Sequence, residues 1–109
     1  MTHHKSLSEG EWRKLSLLEQ LGNIGSEISR AGRWQGQDEE LFNGAVERAL
    51  ELFDLTLEDP RWRKRMREIA RAREVFCDTV FGKKEYQSSL EDLLRYFDQF
   101  AYAVRLGMA

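Results

Sequence analysis

Arg73 is the polar residue that most suggests a chemical role, because it interrupts an apolar helical repeat between Ile69 and Phe76. A charged group buried among core residues is costly unless it is paired. We therefore predict a buried polar network that joins Arg73 to carboxylates of other helices. Its predicted members are Glu27, Asp54, Arg73 and Asp98. Two alternatives stay open: a carboxylate–arginine pocket such as an enzyme would use, or an Arg73 side chain that extends to water.

A second feature is a strongly basic segment, residues 60–73, in which Glu68 is the only acidic residue. The preceding segment, residues 38–59, is strongly acidic, with Arg48 as its only basic residue. One interpretation is that the two segments neutralise each other as neighbouring helices. The other is a phosphate-binding stripe. The stripe would consist of Arg63, Lys64, Arg67 and Arg71. Trp62 beside it could stack on a nucleobase, although its spacing is more typical of the core.

Small residues form a third pattern, at helical steps of three and four. They are Gly22, Gly25, Ser29 and Gly32. Each interior glycine costs a helix about 1 kcal/mol relative to alanine, so a compensating contact is expected. We predict the close approach of another helix, from the same chain or from a second subunit. A ligand groove is the alternative.

The sequence argues against most catalytic classes. The only histidines are His3 and His4, and Cys77 is the only cysteine, so neither a nucleophile–base pair nor a zinc site is expected. No Glu-x-x-His motif of a di-iron bundle and no glycine-rich phosphate loop is present. We expect no enzyme activity, no metal and no cofactor. Cys77 is expected to be a small buried hydrophobic residue.

These residues must be positioned by helices, because apolar residues recur at helical spacing in four segments. The segments are residues 16–34, 38–57, 59–82 and 88–107. Ser16 and Ser88 each precede a glutamate by three residues, which is a capping box, and Pro60 suits a first helical position. Short linkers between long helices favour antiparallel neighbours. The sequence therefore predicts an all-α, antiparallel, up-down four-helix bundle.

Length and composition fit one such domain over residues 1–109, with residues 1–14 as a polar, partly disordered extension. The chain has 41% hydrophobic and 33% charged residues and a net charge of −2, which attracts neither nucleic acid nor a membrane globally. No apolar stretch could span a membrane or serve as a signal peptide. A lone cysteine fits a reducing compartment, so a cytoplasmic location is expected.

Three blocks and one tyrosine resemble a family of small, uncharacterised prokaryotic four-helix-bundle proteins. They are Leu21–Glu27, Glu47–Thr56, Arg73–Asp78 and Tyr86. The resemblance covers roughly residues 15–106 and implies a compact helical bundle without implying a function. It also suggests a shared polar network. The residues concerned are Asn23, Glu27, Asp54, Arg73 and Asp78.

Two broader resemblances concern the fold. The predicted bundle looks like the four-helix accessory proteins of diversity-generating retroelements, which form oligomers and contact nucleic acid. It also looks like HEPN domains, whose RNase members carry an arginine followed a few residues later by a histidine. Here Arg73 is followed by Asp78 near that place, so RNase activity is not implied.

From these patterns we expect a non-enzymatic interaction or scaffold protein that self-associates or binds another protein through its helix faces. The glycine stripe and the aromatic residues favour this function. The alternative is a nucleic-acid-binding accessory protein that uses the basic segment.

Overall fold

The computed structural model describes residues 9–82 and 90–106, and this part of the chain is all-helical, without a strand. This part contains four long α-helices, a short helix that precedes them, and a 3-10 helix between the second and the third long helix. In chain order they are α1 (Glu9–Trp12), α2 (Leu17–Trp34), α3 (Glu39–Leu57), the 3-10 helix (Pro60–Arg65), α4 (Met66–Phe81) and α5 (Leu90–Arg105). None of these helices is long and apolar enough to cross a membrane.

The predicted helix starts at residues 16 and 38 are confirmed by their caps. The Ser16 hydroxyl accepts a hydrogen bond from the Glu19 amide at 3.1 Å, and the Glu19 carboxylate accepts one from the Ser16 amide at 2.9 Å. The Asp38 carboxylate accepts from the Leu41 amide at 3.0 Å. These bonds satisfy amide groups that a helix start leaves without partners.

The predicted third helix is divided in two. Asp59 caps it as expected, but residues 60–65 form a 3-10 helix, and α4 begins at Met66. The change occurs near Trp62, whose backbone leaves the helical region at φ −104° and ψ 21°. The prediction of a single continuous helix from residue 59 is therefore wrong. Apolar spacing does not distinguish a 3-10 turn from an α-helical turn over so short a segment.

Phenylalanines from three helices meet at the centre of the core. The ring centroid of Phe53 in α3 lies 6.0 Å from that of Phe76 in α4 and 5.9 Å from that of Phe97 in α5. All three side chains are at most 1% exposed. Helix α2 packs extensively against both α3 and α5, whereas α4 makes fewer contacts with α3 and α5.

Trp12 shows that the folded part of the chain begins before α2. Its side chain is fully buried, and its indole N–H donates to the Thr56 hydroxyl at 3.2 Å. The side-chain amide of Gln20 donates to the Trp12 carbonyl at 2.9 Å. Within the predicted polar extension, residues 9–12 therefore form a short helix, and one large apolar side chain anchors this segment in the core.

Several predicted features lie outside the described residues. They are His3, His4, Tyr86, the capping serine Ser88 and Gly107.

Candidate functional site

An ion pair between a buried carboxylate and an exposed guanidinium holds the backbone where the basic segment begins. Asp59 is 1% exposed, and its carboxylate accepts hydrogen bonds from Arg61 at 2.6 Å from Nη2 and 3.1 Å from Nε. Arg61 Nη2 also donates to the Leu15 carbonyl at 3.0 Å, which ties this segment to the turn before α2. The hydrogen bonds from Arg61 lower the pKa of Asp59 below its ordinary value of 3.8. The carboxylate therefore stays charged at neutral pH and the pair persists.

Trp62 is fixed by its neighbours on two sides. Its indole N–H donates to the Gln20 side-chain oxygen at 3.0 Å, and the Arg61 guanidinium lies 4.4 Å from the ring centroid. The ring is half-buried and packs against the core. Trp62 therefore belongs to the packing of the molecule, as its spacing favours, and a cation already lies over its ring.

The side chains of the predicted phosphate-binding stripe all lie on the surface. Arg63, Lys64, Arg67 and Arg71 are exposed, and we call these four the basic surface. Within residues 9–82 and 90–106, neither Arg63 nor Lys64 nor Arg67 takes part in an ion pair. Their neighbour Arg65 differs, since its Nη2 lies 2.6 Å from the Glu68 carboxylate. The positive charges of Arg63, Lys64 and Arg67 are thus available to a ligand.

The acidic helix α3 meets the basic segment further along the chain. Arg73 Nε donates to the Asp54 carboxylate at 3.0 Å, and the two side chains are 33% and 52% exposed. This contact neutralises Arg73, which is not part of the basic surface. Neutralisation by α3 therefore applies to Arg73 but not to Arg63, Lys64 or Arg67.

The predicted buried polar network is not formed. Glu27 is buried but pairs with Arg30 of its own helix, at 2.9 Å. Asp54 and Asp98 are exposed. The Arg73 side chain is long enough to carry its guanidinium from the apolar face to the edge of the helix, where it meets Asp54. The predicted pairing of Arg73 with the Asp54 carboxylate is therefore present, but it lies at the surface, and Glu27 pairs within its own helix instead.

The glycine stripe of α2 is partly covered by α5 of the same chain. A Cβ atom added at Gly25 would lie 2.8 Å from the Phe97 Cβ, and one at Gly32 would lie 3.8 Å from a Leu94 methyl group. Gly25 is therefore needed for the close approach of α2 and α5. Ser29 is exposed and Gly22 is half-buried.

An apolar groove lies between α4 and α5, and the sequence patterns had not indicated it. Its volume is about 280 Å³. It is lined by Ala72, Val75, Leu93 and Tyr96, with the exposed Glu68 and Arg71 at its rim, and we call it the α4–α5 groove. Burial raises the pKa of Tyr96, and the Glu68 carboxylate adds to this effect. The hydroxyl therefore stays protonated at neutral pH and can donate a hydrogen bond.

Two further predictions concern metal ligands and Cys77. No group of three histidine, cysteine, aspartate or glutamate residues there could hold a metal ion. Cys77 is half-buried, and its sulfur lies 3.9 Å from Arg73 Nη1. It is therefore less enclosed than its position beside Phe76 predicts.

Two features escaped the sequence patterns for the same reason. The bonds from Arg61 to Leu15 and from Trp62 to Gln20, and the α4–α5 groove, each combine residues far apart in the chain. The Asp59-Pro60 signal predicted the helix cap, but spacing within one segment carries no information about Gln20. Comparisons with protein-family models, curated proteins and solved structures gave no match.

Proposed function

We propose that this protein acts by binding rather than by catalysis, and that nucleic acid is the partner its surface fits best. The observation that carries this proposal is that Arg63, Lys64 and Arg67 are exposed and form no ion pair within residues 9–82 and 90–106. Phosphate groups bind such side chains with release of counterions, which supplies affinity without sequence recognition. The proposal matches the alternative function that the basic segment indicates.

The local charge supports this partner although the net charge of the chain is −2. Glu68, the acidic residue within the basic segment, is neutralised by Arg65. The Asp59–Arg61 pair anchors the 3-10 helix that carries Arg63 and Lys64. A patch of one sign on a molecule of small net charge can still attract a polyanion, because screening limits the reach of distant charges to roughly 10 Å.

The experiment reverses the three unpaired charges. A protein with Arg63→Glu, Lys64→Glu and Arg67→Glu should bind a labelled single-stranded oligonucleotide at least ~10-fold more weakly in fluorescence anisotropy, whereas the wild-type affinity should fall with salt at a log–log slope of about −2. The matched control carries Lys14→Glu, Arg33→Glu and Arg95→Glu, which change the net charge equally at other exposed positions. Equal losses in the two proteins, or none in the first, would contradict the proposal.

Self-association through helix faces is the second candidate. Large apolar side chains are exposed near the ends of α4 and α5, with Phe81 61% and Leu106 57% exposed. Aromatic residues such as Phe81 are enriched at protein interfaces, so this side chain is a candidate contact with a second copy. Multi-angle light scattering should then show an oligomer that dissociates in a Phe81→Glu protein. A monomer at high micromolar concentration would contradict this candidate.

We also infer that the four long helices form an antiparallel up-down bundle. Contacts between α2 and α3, α3 and α4, α4 and α5, and α5 and α2 support this arrangement, because consecutive helices of such a bundle are neighbours. Membership of the family of small prokaryotic bundle proteins, and a cytoplasmic location, are part of the same proposal.

A further inference from the structure

The start of α3 presents a group of negative charges. Asp38, Glu39 and Glu40 are all exposed, and we call these three residues the acidic end. None of the three forms an ion pair with another described residue. The next residue, Leu41, is large and apolar but 47% exposed. The acidic end therefore lies beside an apolar side chain on the surface.

The segment that follows α3 has the same composition with the opposite sign. Its three exposed cations without an ion pair in the described part of the chain are Arg63, Lys64 and Arg67, and we call them the cationic end. Met66 lies between them in the sequence and is 39% exposed. The cationic end therefore also lies beside an apolar side chain on the surface.

One molecule cannot bring its own two ends together. The 19 residues of α3 span about 28 Å at 1.5 Å per residue, whereas screening limits electrostatic attraction to roughly 8 Å in physiological salt. The pair of Arg73 with Asp54, in the last turn of α3, keeps the first half of α4 near that end of the helix. Both ends are thus left for contacts with another molecule.

Neighbouring charges do not cancel either end. Arg33 is the nearest exposed cation before the acidic end, and Glu58 is the nearest exposed carboxylate before the cationic end. Glu68 follows the cationic end but already pairs with Arg65. One opposing charge against three leaves each end with an excess of its own sign.

A second copy of the chain matches the cationic end in both charge and apolar surface. Its acidic end supplies three carboxylates for the three cations, and Leu41 supplies an apolar group for Met66. Opposite charge steers the association, whereas apolar contact holds the two surfaces together. A nucleic acid would satisfy the cations through its phosphates but would offer no aliphatic side chain to Met66. The exposure of Met66 therefore favours the second copy.

We propose that the acidic end of one molecule binds the cationic end of a second copy, with Leu41 packed against Met66. This inference rests on self-association, the second candidate function, and does not need nucleic-acid binding. The contact joins two different surfaces, so it closes a ring if the rotation between copies allows and otherwise builds an open chain. A nucleic acid and the second copy would compete, because both need the same three cations.

The first measurement is the mass of the wild-type protein by light scattering at several concentrations and two salt levels. We expect an oligomer at about 0.01 M salt that dissociates towards the monomer at about 1 M, because the screening length falls from roughly 30 Å to 3 Å. An oligomer whose mass does not depend on salt would contradict the proposed contact.

Charge reversal tests each end separately. Lys64→Glu with Arg67→Glu should weaken the association at least ~10-fold, and so should Glu39→Lys with Glu40→Lys, because like charges then meet. A protein with all four substitutions should associate more tightly than either pair, because its ends again carry opposite signs. It keeps the net charge of −2, and its recovery shows that the single pairs did not act through misfolding.

The apolar contact is tested without a change of charge. Met66→Gln should weaken the association about 3- to 10-fold, because the exposed part of this side chain no longer gains from burial. Met66→Leu is the matched control, since it keeps an apolar side chain at the same position, and it should associate like the wild type. Equal association of all three proteins would contradict the packing of Leu41 on Met66.

Three further results would overturn the inference, and they differ in what they imply. If the wild type is a monomer at high micromolar concentration in low salt, self-association fails, while nucleic-acid binding is decided by its own test. If Phe81→Glu dissociates the oligomer and neither charge reversal does, a second copy binds elsewhere. If the oligomer and a single-stranded oligonucleotide bind without competing, and the oligonucleotide needs the cationic end, the proposed function stands and the contact does not.

Discussion

At the scale of single residues, Asp59 is a buried charge that holds the backbone leading into the basic surface. Its carboxylate is almost fully buried, yet it carries two roles, as the cap of the 3-10 helix and as the partner of Arg61. Arg61 in turn reaches the Leu15 carbonyl. Loss of this carboxylate would therefore loosen the segment that presents Arg63 and Lys64 without changing their charge.

The first prediction concerns the stability that Asp59 supplies. Asp59→Asn should lower the free energy of unfolding at neutral pH by about 1–3 kcal/mol, because hydrogen bonds to a buried charged group are lost. The folded-state pKa of Asp59 is lowered, so the carboxylate contributes its full stabilisation above pH 3.8. This stabilisation disappears as the pH falls through the folded-state pKa. Urea unfolding of both proteins at a series of pH values measures the difference.

The control for this prediction is Asp92→Asn. Asp92 lies 3.7 Å from Arg95 in a pair whose side chains are 60% and 73% exposed. Exposed pairs contribute about 0–1 kcal/mol, so this variant should unfold almost like the wild type. A difference between wild type and Asp59→Asn that does not shrink in acid would contradict the role assigned to the Asp59 carboxylate.

At the scale of helices, local signals predicted where α2 and α3 begin and where α4 ends. The capping box at Ser16, the cap at Asp38 and the left-handed Gly82, with φ 77°, each act within a few residues. Such interactions can be predicted from sequence because both partners are neighbours in the chain.

The failures at the same scale share a different cause. Nothing in the local sequence marks the kink at Trp62, because its indole is held by Gln20, which lies in another helix. The position of Arg73 was also misjudged, because periodicity locates a backbone and says nothing about the far end of a long side chain. The basic surface was predicted residue by residue, but its exposure depended on how α3 and α4 pack.

A pair of glycines provides the second prediction. Gly25→Ala should destabilise the protein by about 1–3 kcal/mol, because the new methyl group would meet the Phe97 Cβ at 2.8 Å and separate α2 from α5. Gly44→Ala in α3 should instead stabilise by up to about 1 kcal/mol, since no atom lies within 4 Å of the new group and alanine favours helix. Thermal unfolding compares the two.

The two substitutions should change the free energy of unfolding in opposite directions. If both variants were stabilised, the close approach of α2 and α5 at Gly25 would be wrong.

At the scale of the whole molecule, α1 joins the same core as the long helices. Trp12 connects α1 to α3 through Thr56 and to α2 through Gln20. Residues 9–12 should therefore unfold together with the rest of the described chain and not as an independent segment.

The third prediction tests this cooperativity. Trp12→Ala should lower the free energy of unfolding by about 3–5 kcal/mol, the range for loss of a large buried aromatic side chain. Helix content by circular dichroism and the fluorescence of the remaining tryptophans should report one shared transition. Leu41→Ala is the control, because Leu41 is 47% exposed and its loss should cost about 0.5 kcal/mol or less. Separate transitions for the two probes in the wild type would contradict a single core.

The contact between Gly25 and Phe97 also bears on how the chain is made. A ribosome delivers α2 long before α5, so the face of α2 that Phe97 will cover stays open while more than half of the chain is synthesised. Nascent chains that pause before residue 97 thus expose an apolar surface on α2, and a chaperone that binds such surfaces would recognise it until α5 has left the ribosome and packed there.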